Sequence, residues 1–301
     1  MTAKVILNPY ANRWIAQKRW PEAEAALRNA GVEFELEVSK FAGHMIDLAE
    51  QAVRDGFSPI IAAGGDGTIG GIINGMYRAS KDHDRIMVPL GIIPLGSAND
   101  FVYNLGLPLD LKSAVDIIAG GKTKLIDLGW VNEHVFVNNS AIGLEPYITL
   151  IQQRITWIKG IPRYMIAAVQ GILGKPSWQA QIEWDSGNYR GPTLLVTVGN
   201  GARTGGVFFM APHAVLTDGR LTFVYGHRET RREIFRMLPS TMKPDQGSYV
   251  EMDGIEENHA TWIKIRLETT SPAHVDGEIF TENCLQFEYR ILPNRLWVIT
   301  Q

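Results

Sequence analysis

The chain has a single cysteine, Cys284, among its 301 residues. One thiol forms no internal disulfide, which excludes a disulfide-stapled scaffold and points to a reducing compartment. Basic excess is missing too: 29 Lys and Arg stand against 32 Asp and Glu, a formal charge of −3. A general nucleic-acid binder needs that excess, so no nucleic acid is expected as a partner. The one basic segment, ETRREIFRM at 229–237, reads as a solvated helix face. Long apolar runs are absent as well. The uncharged, largely apolar stretch from Tyr164 to Gly174 is too short to span a bilayer. The start, MTAKVILNPY, enters a strand without a signal-peptide pattern, and a cytoplasmic location is the expectation. No two histidines have metal-ligand spacing; His44 and His274 read as surface or internally satisfied side chains.

What is present, 45% hydrophobic and 20% charged residues, suits a full globular core. Up to about residue 122 the pattern alternates between strand and helix. KVILN, VEFELEV (32–38), PIIAAGG and IMVPLGIIPLG (86–96) have strand character. Helical spacing covers 14–29, 42–56 and 69–79, with another helix in LDLKSAVDIIAGG. Ser97 reads as the N-cap of a further helix in SANDFVYNLG. Such alternation predicts a mostly parallel sheet with helices on both faces. From 123 to about 292, short β-like runs separated by Gly, Asn, Asp and Pro predict an antiparallel sandwich. One long helix over 147–173 and another over 229–238 interrupt them. The last residues, about 293–301, are expected to pack back on the first domain.

The glycine turn in IIAAGGDGTIGGIINGM carries the first chemical signal. Residues 65–70 fit G-x-G-x-x-G, and the strand–turn–helix context suits a phosphate on backbone amides. The turn nevertheless follows the third strand rather than the first, and no acidic residue closes the next strand to hold a ribose, which argues against a dinucleotide site. GGKT at 120–123 resembles the tail of a Walker loop, but Asp116 stands where its first glycine belongs. What remains is Gly64, Gly65, Asp66, Gly67 and Thr68 after a buried strand. Glycines let a phosphate chain approach, and Thr68 adds a hydroxyl. An aspartate in an anion site is costly unless it faces a cation or a proton-bearing group, so Asp66 fits a Mg²⁺-nucleotide better than a bare dinucleotide. A plain β-turn rich in Asp and Gly is the alternative.

Four more segments, ILNPYA (6–11), IIPLGSANDFVYNLGLP (92–108), APHAVLTDGRL (211–221) and HVDGEIF (274–280), complete a pattern. In this order, with GGDGT, they resemble the diacylglycerol kinase catalytic family over nearly the whole chain. That family includes bacterial lipid kinases and sphingosine and ceramide kinases, and its fold is related to NAD kinases. The resemblance implies an N-terminal α/β domain, a C-terminal β-rich domain, and ATP and Mg²⁺ in the cleft between them. Asn8, Gly65, Asp66, Gly67, Thr68 and Ser97 match its nucleotide-binding positions, and Ser39 stands in for a nucleotide-contacting threonine. The activity implied is γ-phosphoryl transfer to a lipid alcohol at a membrane surface, by an enzyme peripheral to its inner face and compatible with a homodimer. Glu278 or Asp276 would be the base, the two sharing one face of a strand, with Asp66 and Asp100 completing a Mg²⁺-organising cluster. DGE alone also reads as a hairpin turn with solvated acids. TDGRL resembles the family's structural Mg²⁺ site, with Asp218 and the carbonyls of Val215 and Arg220 as ligands, and it too reads alone as a turn.

The sequence departs from the family at Gly70-Gly71, where Asn-Glu is usual, so a nucleotide-binding glutamate is missing. Two other activities therefore stand beside a lipid kinase: a kinase of a soluble alcohol, and a catalytically weak lipid- or nucleotide-binding protein. Trp157, Ile158, Ile161, Tyr164, Met165 and Ile166 form either a core helix or a lipid-facing lip.

Overall fold

The computed structural model describes residues 2–158, 161–174 and 177–301. Four strands, β1 (Ala3–Leu7), β2 (Phe34–Val38), β3 (Ile60–Gly64) and β4 (Ile86–Pro94), pair in parallel in the order β4-β3-β1-β2. Between them run α1 (Ala11–Asn29), α2 (His44–Arg54) and α3 (Asp66–Ala79); α4 (Asp100–Asn104) and α5 (Leu111–Gly120) follow β4. Every residue of β3 is buried, as a parallel strand covered on both faces must be. Ile60 and Ala62 join the core under α2 and α3, while Ile61 and Ala63 join the core under α1 and α5.

The second half is an antiparallel sandwich. Its strands are β5 (Thr123–Val131), β6 (His134–Phe136), β7 (Asn139–Gly143), β8 (Trp178–Trp184), β9 (Gly187–Thr193), β10 (Leu195–Gly199), β11 (Leu221–Gly226), β12 (Ile255–Ala260), β13 (Trp262–Val275) and β14 (Glu278–Ile299). Helices α6 (Leu144–Arg154), α7 (Ile161–Gly174) and α8 (Arg231–Met237) cover one face. The 22-residue β14 belongs to both halves: its first part pairs with β13, and Leu296 and Val298 pair in parallel with Ile86 and Leu90 of β4.

Two expectations change, and one open alternative divides between its two readings. The single helix over 147–173 is two, α6 and α7, because α6 stops at Arg154 and Ile155 turns extended, at φ −87 and ψ 100. Of the lip residues, Trp157 and Met165 are exposed, whereas Ile158, Tyr164 and Ile166 pack on the core under α6–α8; the Ile161 side chain lies outside the described residues. Ser97 does not cap α4. That place is taken by Asn99, at φ 51, whose side chain accepts the Gly96 amide at 3.1 Å and donates to the Gly96 carbonyl at 3.2 Å.

Candidate active site

A cleft of about 890 Å³ opens where the C-terminal ends of β1, β3 and β4 meet the β13–β14 hairpin. Its floor is the start of α3. Asp66 and Gly67 lie in the first turn, and the first amides of a helix have no intrahelical partner and carry a partial positive charge. The glycines there are required by close approach. A Cβ on Gly65 would sit 2.9 Å from the Gly96 Cα, and one on Gly64 would sit 2.3 Å from Thr68 Oγ1. The β3 and β4 loops thus touch backbone to backbone, and Thr68 folds back over the end of β3. Asn8, following β1, donates from Nδ2 to Thr68 Oγ1 at 3.0 Å and is held by the Tyr10 amide at 3.1 Å. Because Asn8 supplies that hydrogen, the Thr68 hydroxyl keeps its own proton for a ligand. Among the described residues lining the cleft, Lys40 is the one permanent cation.

The hairpin from the second half faces this floor. Asp276 and Gly277 form a two-residue turn with φ of 48 and 84, and Val275 pairs directly with Glu278. Both residues have positive φ, the pattern of the tight turn that Asp-Gly favours between strands. Glu278 opens β14 and reaches the start of α3: a Cβ on Gly67 would lie 2.9 Å from its Oε1. A Cβ on Gly70 would lie 3.3 Å from Asp276 Oδ2. The hairpin tip therefore docks against a glycine face of α3.

The acidic residues divide by environment. Asp66 Oδ1 accepts the Phe101 amide at 2.9 Å, and Asp66 lines the cleft. Asp276 accepts the amides of Val137, Asn138 and Asn139 at 3.0, 2.8 and 3.1 Å. Burial pushes its carboxyl up to about 7; the three amides pull the other way, and the charge of Asp66 adds to the rise. Asp100 is 4% exposed and bound by Arg203 Nε at 2.8 Å and the Gly206 amide at 3.0 Å. Burial and the charge of Asp66 raise its carboxyl against the pull of Arg203.

Family models match both halves: "Diacylglycerol kinase catalytic domain" over residues 2–131 and "YegS C-terminal NAD kinase beta sandwich-like domain" over 139–300. The chain belongs to the diacylglycerol kinase catalytic family. A protein of Staphylococcus haemolyticus named "Diacylglycerol kinase" is 28% identical over 92% of this chain and 82% of its own length. One of Chromohalobacter salexigens named "Probable lipid kinase YegS-like" is 28% identical over 91% of this chain and 86% of its own. A crystal structure of a diacylglycerol kinase from Bacillus anthracis shares the fold, with a TM-score of 0.73, 21% identity, and coverage of 100% of this chain and 97% of that one.

Against the expectations for a diacylglycerol kinase-family chain, the cleft gathers Asn8, Gly65, Asp66, Gly67, Thr68, Ser97, Asp276 and Glu278. Ser39 is 2% exposed and does not line it; the neighbouring Lys40 does. Gly64 shapes the turn from behind. Two expectations are corrected. Asp276 and Glu278 do not share a strand face, because Asp276 lies in the turn with its carboxylate wrapped by amides, while Glu278 projects into the cleft. Asp100 does not complete a cluster with Asp66 in the cleft, because Arg203 arrives from the other half and takes its carboxylate. Asp218 lies in an exposed turn, where its Oδ1 accepts the Arg220 amide at 3.0 Å; the turn is tied down by the Gly219 amide on Asp127 Oδ2 at 2.7 Å, and Val215 is exposed beside it. Sequence reasoning missed Lys40, Asn12 and Asn74, which line the cleft, and Arg203, which holds Asp100 behind it; none carries a motif of its own.

Proposed function

We propose that this chain transfers the γ-phosphoryl group of ATP, with Mg²⁺, to the hydroxyl of a diacylglycerol-like lipid, and that Glu278 is the general base. The observation that carries this reading is the position of Glu278. Its carboxylate stands over the first turn of α3, where the helix offers amides to phosphate, so one cleft holds both an anion cradle and a proton acceptor. Asp276 is the weaker candidate because its oxygens are already occupied by three amides.

The residues fit both groups. Gly65, Asp66 and Gly67 line the cleft at the start of α3, where the first helix amides have no intrahelical partner and suit a phosphate. Among the described residues no group of three or more His, Cys, Asp and Glu could hold a metal by itself. A hard cation at Asp66 would therefore complete its shell with phosphate oxygens and water, the usual way Mg²⁺ is held. When bound, Mg²⁺ neutralises phosphate charge and orients the transferred group. A second ion at the 215–220 turn would rest on Asp218 with the carbonyls of Val215 and Arg220.

In the transfer, the acceptor O–H proton passes to Glu278 as the oxygen bonds to phosphorus and the bond to the ADP oxygen breaks. The α3 amides and the Thr68 hydroxyl hold the phosphate chain, and Asn8 keeps Thr68 aimed. A peripheral contact with the membrane goes with this reading. Trp157, Met165, Val169 and Leu173 are exposed apolar side chains, the last three on one face of α7, and no described helix is long and apolar enough to cross a bilayer.

The test is transfer of label from γ-³²P-ATP into a total lipid extract in mixed micelles. Wild type should label a lipid, and Glu278→Gln should lose about 10²–10⁴-fold in rate, the usual contribution of a positioned base. Asp66→Asn should lose activity as well. Glu278→Gln at the wild-type rate, or wild type that binds Mg-ATP and labels no lipid, would overturn the reading.

A further inference from the structure

Behind the turn that carries Glu278 lies a buried pair of titratable side chains with no part in the chemistry above. His274, the next-to-last residue of β13, is 1% exposed, and its Nε2 lies 3.0 Å from Glu145 Oε1. Glu145 stands in the first turn of α6. A carboxylate only accepts, so Nε2 carries the hydrogen and Nδ1 of the neutral ring is an acceptor. That Nδ1 takes the Gly277 amide at 3.3 Å. A doubly protonated ring would instead point a hydrogen at that amide.

Glu145 is not free to turn away. Its Oε2 accepts from Thr197 Oγ1 at 3.0 Å and its Oε1 from Asn139 Nδ2 at 3.2 Å. Burial alone would raise its carboxyl, but the hydrogen bonds from His274, Thr197 and Asn139 hold it below its ordinary value. Asn139 also grips the same turn: its carbonyl accepts the Asp276 amide at 2.8 Å, and its own amide donates to Asp276 Oδ1. Both turn residues are thus fixed from one buried polar group. On its outer side Gly277 is open, with nothing within 4 Å of where a Cβ would project.

We propose that Glu145 and His274 are positioning residues for phosphoryl transfer: the carboxylate fixes the imidazole tautomer, and the imidazole holds the Gly277 amide so that Glu278 stays against the start of α3. This rests on the reading of Glu278 as base. A base displaced by about 1 Å costs on the order of 10²-fold in rate; the 137–139 segment holds the Asp276 end of the turn, and His274 holds the Gly277 end, next to Glu278.

Two substitutions divide the chain of hydrogen bonds. His274→Asn keeps an acceptor where Nδ1 was, and His274→Gln keeps a donor where Nε2 was. His274→Asn should stay within a few-fold of wild-type kcat. His274→Gln should lose about 10²-fold in kcat with KM for Mg-ATP unchanged, because the α3 cradle is untouched. Equal losses in the two, or a loss confined to KM, would overturn the proposal. Nitrogen NMR of the wild-type ring tests it without any variant: Nε2 should be protonated and Nδ1 should carry a free lone pair, and a proton on Nδ1 would overturn it. Glu278→Gln, assayed alongside, separates the two readings. An active Glu278→Gln removes the base assignment, whereas an inactive Glu278→Gln beside a fully active His274→Gln removes only the positioning role.

Discussion

Asp276 sits where ionisation is expensive. An ordinary aspartate titrates near 3.9, and this one is pushed up to about 7, chiefly by burial. Between those values the folded chain holds a proton that the unfolded chain has released. Unfolding free energy changes with pH in proportion to protons bound in the unfolded state minus those bound in the folded state. That difference is negative here, so the stability tied to this group is fully present below the ordinary value and is lost as pH rises through about 7. Urea titrations should show wild type losing stability between about pH 5 and about pH 8, and Asp276→Asn losing less over the same span. An identical slope in the variant would place the pH dependence on another group. The same residue shows what a sequence conveys at this scale. DGE supports both a turn and a pair of catalytic acids, and the structure takes one part of each: a turn at Asp276-Gly277 whose carboxylate is wrapped by amides, and one acid, Glu278, with its carboxylate over the start of α3. Strand alternation could not separate them, because the strand ends one residue too early. Arg203 was illegible for a different reason: its partner, Asp100, is 103 residues away.

At the scale of elements, α2 and α3 pack through glycine. A Cβ on Gly75 would fall 2.1 Å from the Ile46 carbonyl oxygen and 2.8 Å from the Ala49 Cβ, and one on Gly71 would fall 2.7 Å from Met45 Cγ. The Gly70-Gly71 departure from the family pattern therefore has a structural counterpart: Gly71 seats Met45, and Gly70 admits the Asp276 turn. Gly75→Ala must push the helices apart and should cost about 1–3 kcal/mol, the usual penalty for overpacking. Gly120→Ala is the control, since Gly120 ends α5 with nothing within 4 Å; helix propensity alone should make it neutral or stabilising by up to about 1 kcal/mol. Chemical denaturation of both variants settles whether packing or propensity governs, and a Gly75→Ala protein as stable as Gly120→Ala would refute the packing argument. The strongly patterned elements were legible, from β3 to α5. β9 and β12 were not, because both lie at sheet edges and carry polar sequences, GNYRGPT and IEENHA, that give no apolar alternation. WIKIRLE and AHV are likewise one strand, β13, continued through register shifts that no period-two pattern reveals.

At the scale of the whole molecule, the site exists only where the two halves meet, and the contacts that join them set its geometry. The sequence texture, alternating before residue 122 and β-rich after it, made two kinds of architecture legible. It could not show that β14 serves both, since strand pairing across the sheet leaves no local mark. Beyond that shared strand, Arg203 is a largely buried charged tie between the two halves. It reaches from the second half to Asp100 Oδ1 through Nε and to the Ala98 carbonyl at 2.7 Å, and its guanidinium lies 4.1 Å over the Tyr103 ring. Both partners are largely buried, at 14% and 6% side-chain exposure, so removing one strands the other. Arg203→Ala should cost about 3–5 kcal/mol, the range for breaking a buried pair from one side. Asp100→Asn with Arg203→Met removes both charges and should recover much of that loss, because a pair deleted together leaves no buried charge uncompensated. A double-mutant cycle on unfolding free energy measures the coupling. If the tie also sets the cleft, Arg203→Ala should raise KM for Mg-ATP more than Asp100→Asn/Arg203→Met does, since an uncompensated Asp100 beside Asp66 repels the same phosphates that the α3 amides attract. Additive losses in stability, with KM unchanged in either variant, would show that Arg203 and Asp100 do not act as a coupled tie and that Arg203 has no influence on the cleft.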